Sequence, residues 1–228
     1  MGNCLILIID MQNGFQNANT KGLDQKILRF LDRLDAVESD YNGNAGNSGK
    51  SGNFEKSKNS TDSGNSRKSE NSADIGKSSD SRFAHILVAG TCYVNHEQTA
   101  CYRFEGWKAC MAGTKEAQIL DSLRPRMQRV FQKDKYSCWN AQMQQYIREN
   151  KIKKVYFAGV NTGCCVLHSA FDFYNDLVDC SVIADLCGST SGVREHEAAL
   201  IVLKSCITKE RVITAEEAVK EIQAAIQL

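Results

Sequence analysis

No stretch of this sequence comes near the roughly 20 consecutive apolar residues that a helix needs to cross a bilayer, so no membrane span is expected. Neither sign of charge is in surplus. With 28 Lys and Arg against 27 Asp and Glu the formal net charge is +1, which leaves no basic excess for nucleic acid or an anionic lipid surface. The first residues enter an apolar run at once, without a basic region or a cleavage site, so no secretory signal is expected. Met1-Gly2 is followed at position six by Ile6 instead of Ser or Thr, against myristoylation. None of the ten cysteines forms a Cys-x-x-Cys pair, which speaks against a dithiol redox motif and against the knuckles of structural zinc sites. Without secretion, the thiols are expected to be reduced and the protein cytoplasmic.

Among what is present, the segment Val155 to Val166 is the most informative. An apolar run, Val155 to Val160, leads into the turn Asn161-Thr162-Gly163 and then into Cys164-Cys165. Val166, Ala170, Phe173 and Leu177 recur at helical spacing, so one face packs on a sheet while Cys165 lies in the first turn. A helix start offers unpaired N–H groups and the positive end of the dipole. Both are expected to lower the Cys165 thiol pKa and to offer donors to an oxyanion. Free cysteine is also a common core residue, and Cys164, Cys180, Cys187 and Cys206 are read that way.

Two other segments end in charged groups. The wholly apolar Leu5 to Ile9 stops at Asp10 and then at turn residues, as a strand covered on both faces does at its carboxyl edge. Val130-Phe131-Gln132 runs into Lys133-Asp134-Lys135. Three strand ends therefore deliver an acid, an amine and a thiol to the edge where open α/β sheets carry their sites. His168, three residues after Cys165, suggests a Cys–His pair, although side chains lean toward a helix N-terminus and a histidine one turn on more often packs. His196 reads as a helix-packing residue. Cys92, His96, Cys101 and Cys110 can be taken as a zinc set, against which their irregular spacing counts.

Ile9-Asp10-Met11-Gln12-Asn13-Gly14-Phe15, then Lys133-x-x-Tyr136-Ser137-x-Trp139, then Gly159-Val160-Asn161-Thr162-x-x-Cys165-Val166 resemble, in order and spacing, the isochorismatase-like cysteine hydrolases. That superfamily includes nicotinamidases, N-carbamoylsarcosine amidases and ureidoacrylate amidohydrolases. The resemblance selects Lys133 over Lys135 and Cys165 over Cys164. It implies a triad of Asp10, Lys133 and Cys165, a cis peptide at Val160–Asn161, and an oxyanion hole from the backbone N–H groups of Asn161 and Cys165. Relatives place an aromatic against the substrate at the position of Phe15; Gln12, Tyr93, Trp107 and Trp139 are expected to complete the substrate pocket. The Asp-x-His and further His with which nicotinamidases bind a metal are missing around His96, so no metal or other cofactor is expected. The resemblance thus implies a metal-independent cysteine hydrolase cleaving the C–N bond of a small amide or ureide through a thioester, with no nucleic-acid or membrane partner. As in relatives, a dimer or tetramer is expected. The other readings are a nicotinamidase-type amidase, a non-catalytic binding protein on the same fold, and a thiol redox protein using Cys164 and Cys165.

Alternating patterns give strands at 4–9, 85–92, 128–132, 154–160, 180–185 and 210–213, and helices at 23–38, 116–122, 139–150, 163–176, 193–206 and 215–226. Such alternation means a parallel sheet with helices on both faces, a three-layer α/β/α fold. The resemblance implies six strands in the order 3-2-1-4-5-6. Residues 41–82, rich in Asn, Ser, Gly and Lys, are read as a low-complexity, disordered insertion in an otherwise single domain spanning 1–228.

Overall fold

In the computed structural model, which describes residues 3–45 and 86–227, six strands form one parallel sheet. They are β1 (Asn3–Ile9), β2 (Ile86–Tyr93), β3 (Arg129–Lys133), β4 (Ile152–Val160), β5 (Cys180–Gly188) and β6 (Val212–Ile213). Their order is β3-β2-β1-β4-β5-β6, as expected. Strand β1 is central and shows why its run is wholly apolar: Ile6 and Ile8 face one layer, Leu5, Leu7 and Ile9 the other. The first layer holds helices α1 (Leu23–Ala45) and α6 (Ala215–Gln227), through Ile27, Leu31, Leu34, Val219 and Ile222. The second holds α3 (Ala141–Glu149), α4 (Leu167–Asn175) and α5 (Val193–Cys206), through Met143, Ala170, Phe173 and Leu203.

Helix α1 runs on to Ala45, seven residues past the boundary its apolar spacing suggested, so residues 41–45 of the expected insertion are helical. The rest of that insertion lies outside the described residues. The helix expected at 116–122 is not formed. Its backbone is committed elsewhere: Asn13, Gly14 and Leu120 N–H groups pair with the carbonyls of Gln118, Glu116 and Met11, laying this segment along the turn that follows β1. A short helix, α2 (Ala100–Glu105), forms instead between 92 and 116, where the sequence pattern assigned no element. The Thr99 hydroxyl caps its start by accepting the Tyr102 N–H at 3.3 Å, and Gly106 ends it at φ 68°. Leu177, expected on the packing face of α4, lies beyond the helix at φ 59° and is 93% exposed.

Gly159 decides how closely β1 and β4 approach. It pairs with Ile9 at φ +114°, and a Cβ there would lie 2.1 Å from the Ile9 carbonyl oxygen and 2.8 Å from its nitrogen. Neither atom can retreat without displacing Asp10, the next residue. Gly159→Ala is expected to destabilise the fold by about 3 kcal/mol or more in urea unfolding. The control Gly22→Ala, at φ +80° with nothing within 4 Å, should cost only about 1 kcal/mol. Equal costs for the two would contradict the close-approach account.

Candidate active site

Asp10, directly after β1, takes φ 47°, a conformation that Asp tolerates better than most residues. The turn aims its carboxylate across the strand ends. The Thr91 hydroxyl of β2 donates to Asp10 Oδ1 at 2.7 Å, and the Asp10 N–H is shared between the Thr91 hydroxyl and carbonyl, both at 3.2 Å. Lys133 ends β3, two strands away from β1, and only a long side chain can bridge that gap. Its stem passes the end of β2, with Nζ 5.2 Å from the centroid of the Tyr93 ring. The ammonium has three N–H groups and three partners: Asp10 Oδ2 at 2.7 Å, the Lys135 carbonyl at 3.0 Å and Cys165 Sγ at 3.3 Å. Cys165 sits in a wide turn at the end of β4, where Val166 N–H reaches back to the Asn161 carbonyl at 3.1 Å before α4 begins. The Val160–Asn161 peptide is cis. All three groups are buried: Asp10 is 0%, Cys165 4% and Lys133 6% exposed.

The electrostatics differ from the sequence expectation in one respect. Burial and then the Asp10 charge push the Cys165 thiol well above its ordinary pKa, and Lys133 offsets them only in part. The thiol was expected to be acidified; it rests protonated instead, with a carboxylate beside it to receive the proton. Burial would lower the Lys133 pKa, but the Asp10 carboxylate beside it outweighs burial, so Lys133 stays an ammonium. Cys138, buried behind the site, is pushed up to about 12 by burial, and Cys92 to about 11.

Above Cys165 lies a cavity of about 450 Å³. Phe15 and Trp107 stack on its wall with centroids 5.5 Å apart, and Tyr93 lies 5.9 Å from Trp107. Asn161 serves this wall with its side chain as well: its Oδ1 accepts the Thr190 N–H at 2.8 Å, while the Thr190 carbonyl takes the amides of Asn17 and Asn19, each at 2.8 Å. Two expected pocket residues are elsewhere. Gln12 is fully buried with its amide bound to the Tyr93 N–H, the Tyr93 carbonyl and the Ala117 carbonyl at 2.8 to 2.9 Å, so it clamps the loop to β2 and has nothing left for a substrate. Trp139 packs on Phe173 at 4.4 Å and donates its indole N–H to Asp176, away from the cavity.

Tyr136, Cys101 and Glu105 line the cavity although sequence reading gave them no such place. Tyr136 lay inside a quoted motif, but α2, which carries the other two, had no sequence signal strong enough to fix it. Thr91 was missed as the partner of Asp10; a polar residue in the apolar run 86–92 was its only mark. His168 makes no pair with Cys165: its Nδ1 meets the Cys164 carbonyl at 2.8 Å and its ring lies against Tyr136. His196, expected only to pack, meets the Thr162 hydroxyl through Nδ1 at 2.8 Å, and that hydroxyl lies 2.9 Å from the Gly188 carbonyl. The suggested zinc set does not assemble. Cys92 and Cys110 donate to the carbonyls of Ala117 and Glu116, Cys101 to Tyr136, and His96 lies 3.5 Å from Asp134 on the surface. Among the described residues no three His, Cys, Asp or Glu side chains gather to hold a metal, so the residues present do not fit the nicotinamidase metal. No helix among them is long and apolar enough to cross a membrane.

The Isochorismatase domain matches residues 73–217. Among solved structures the chain is similar to a cysteine hydrolase from Pseudomonas syringae pv. phaseolicola, at 13% identity and TM-score 0.65, covering 98% of this chain and 93% of that one. An isochorismatase-like hydrolase from Alkaliphilus metalliredigens shares 17% identity at TM-score 0.62, covering 96% and 99%. A nicotinamidase from Bacillus subtilis shares 16% at TM-score 0.58, covering 93% and 99%. No curated protein matches the chain in sequence. At these identities the structural likenesses speak for the fold alone.

The charge arrangement makes a signed prediction for the thiol. Asp10→Asn removes a group that raises the Cys165 pKa, so the pH at which iodoacetamide labels Cys165 should fall; Lys133→Met removes one that lowers it, so that pH should rise. Labelling is followed by peptide mass mapping against the other cysteines. A wild-type thiol that titrates below the ordinary range, or an Asp10→Asn shift upward, would contradict this electrostatic account.

Proposed function

Because the chain belongs to the isochorismatase-like hydrolase family, we propose that it is a metal-independent cysteine amidohydrolase, cleaving the C–N bond of a small amide or ureide. The observation that carries this reading is the meeting of Asp10 and Lys133 with Cys165, which lines the cavity above them, Lys133 Nζ lying 2.7 Å from the carboxylate and 3.3 Å from the sulfur. The lysine donates to Sγ, so the thiol proton is free to point at Asp10. As the sulfur attacks the carbonyl carbon, that proton passes to Asp10, and the ammonium of Lys133 stabilises the developing thiolate. The oxygen of the tetrahedral adduct is received by the backbone N–H groups of Asn161 and Cys165, at the start of the turn that opens α4. Losing one donor of this kind typically costs about 3–4 kcal/mol of barrier.

Collapse of the adduct breaks the C–N bond. Asp10 returns its proton to the departing nitrogen, so ammonia or an amine leaves and a thioester remains on Cys165. Water then gives a proton to Asp10 and attacks the thioester; the acid leaves, and the proton returns to sulfur. Each cycle consumes one water and restores all three groups. No step passes through a metal, in keeping with donor side chains that are committed elsewhere in the fold.

Ammonia release from a panel of primary amides and ureides tests the reading. The active members are expected to lose about 10³-fold or more in kcat with Cys165→Ala or with Asp10→Asn, and to keep their rate after dialysis against a chelator. Thr91→Val, which leaves Asp10 Oδ1 without its hydroxyl, should lower kcat about tenfold with KM little changed. Full activity in Cys165→Ala, or loss of activity on chelation restored by a divalent ion, would contradict the proposal.

A further inference from the structure

Among the described side chains that line the cavity above Cys165, Glu105 is the one that carries a formal charge. It stands at the end of α2, fixed there by the Thr99 cap and the Gly106 stop. Its carboxylate is oriented by a short relay: Cys101 Sγ donates to Tyr136 Oη at 3.7 Å, and the Tyr136 hydroxyl donates to Glu105 Oε1 at 2.9 Å. Among the described residues Glu105 makes no ion pair, which leaves its other oxygen for a ligand. Beside it the Phe15–Trp107 stack and the Tyr93 ring present aromatic faces, which attract cations through the ring quadrupole.

The wall offers nothing comparable to an anion. Lys133 lies beneath the floor with its side chain 2% exposed, paired with the Asp10 carboxylate and donating to the Lys135 carbonyl and Cys165 Sγ. Arg103 and Lys108, the cations nearest to Glu105 in sequence, do not line the cavity, and Lys108 lies over the Tyr102 ring. A substrate carboxylate entering here would face Glu105 with no partner of opposite charge, and like-charge juxtaposition disfavours binding. A protonated amine would meet a carboxylate and an aromatic face together.

We propose that this site takes amides whose far end carries a protonated amine, with Glu105 as the specificity-determining residue and the aromatic stack holding a planar body between the amine and Cys165. The inference deepens the amidohydrolase reading and rests on it. It divides that broad substrate class by charge, setting carboxylate-bearing amides and ureides apart as poor substrates.

Three amides of one skeleton test it with the full chain: 3-(aminomethyl)benzamide, 3-methylbenzamide and 3-carbamoylbenzoate, cationic, neutral and anionic at neutral pH. The expected order of kcat/KM is cation, neutral, anion, with about tenfold or more between the first and last at low salt. Glu105→Gln should bring the cation-to-neutral ratio toward one, and Glu105→Lys should invert the order. An anionic amide turned over as well as the cationic one, or a cation-to-neutral ratio unchanged in Glu105→Gln, overturns the inference. Protection of Cys165 from iodoacetamide by the same compounds reads binding without turnover. If none is hydrolysed but protection follows the same order and the same response to Glu105→Gln, the charge preference stands and the hydrolytic reading of these amides falls. Equal protection by all three overturns the preference itself.

Discussion

Lys133 and Asp10 meet at 2.7 Å in a place that water does not reach, and the rest of the site follows from what such a pair requires. Two charges taken out of water are tolerable only where their remaining hydrogen-bonding capacity is met, and removing one partner of a buried pair typically costs about 3–5 kcal/mol. Here the ammonium needs two more acceptors and finds the Lys135 carbonyl and Cys165 Sγ; the carboxylate needs a donor and finds the Thr91 hydroxyl. The sulfur is thereby part of the solution to burying the ion pair. This also explains why the thiol can stay protonated at rest: the lysine charge is balanced by Asp10 before the thiol has to ionise.

The fold supplies the distances. Strand order brings the ends of β1 and β4 side by side, and Gly159 lets their backbones close to the separation at which Asp10 and Cys165 share one ammonium. Strand β3 lies two strands out from β1, so its contribution has to be the long side chain of Lys133. Around the cavity the polar residues mostly hold one another. Asn161 with Thr190, and Asn17 and Asn19 with the Thr190 carbonyl, tie three loops into one wall, on which the aromatic faces and the one formal charge among its described residues, Glu105, stand beside the smaller polar side chains of Gln16 and Ser191.

Much of this was legible from residues because the signals were strong and local. Leu5 to Ile9 and Val155 to Val160 read as doubly covered strands because the runs are short, apolar throughout and followed by turn residues, and the groups at their ends then had one edge to occupy. The all-parallel order followed from the alternation of elements together with the family resemblance. What failed was whatever depended on contacts between distant segments. Residues 116–122 look helical alone but pair with 11–14; Gln12 follows Asp10 yet turns inward to clamp β2; Trp139 lies near the motif lysine but packs on α4. The direction of the Cys165 pKa was missed for the same reason. The helix start and the lysine are visible in sequence, whereas complete burial beside a carboxylate is not.

The central claim is that Cys165 forms the bond to the substrate acyl group. Its most direct test is intact-protein and peptide mass spectrometry after acid quench during turnover of an active amide. The account predicts a mass increase equal to the acyl fragment, mapped to Cys165 and absent in Cys165→Ala. Turnover with no acyl adduct on any cysteine, or an adduct mapped to Cys101 or Cys164 on the cavity wall, would contradict it.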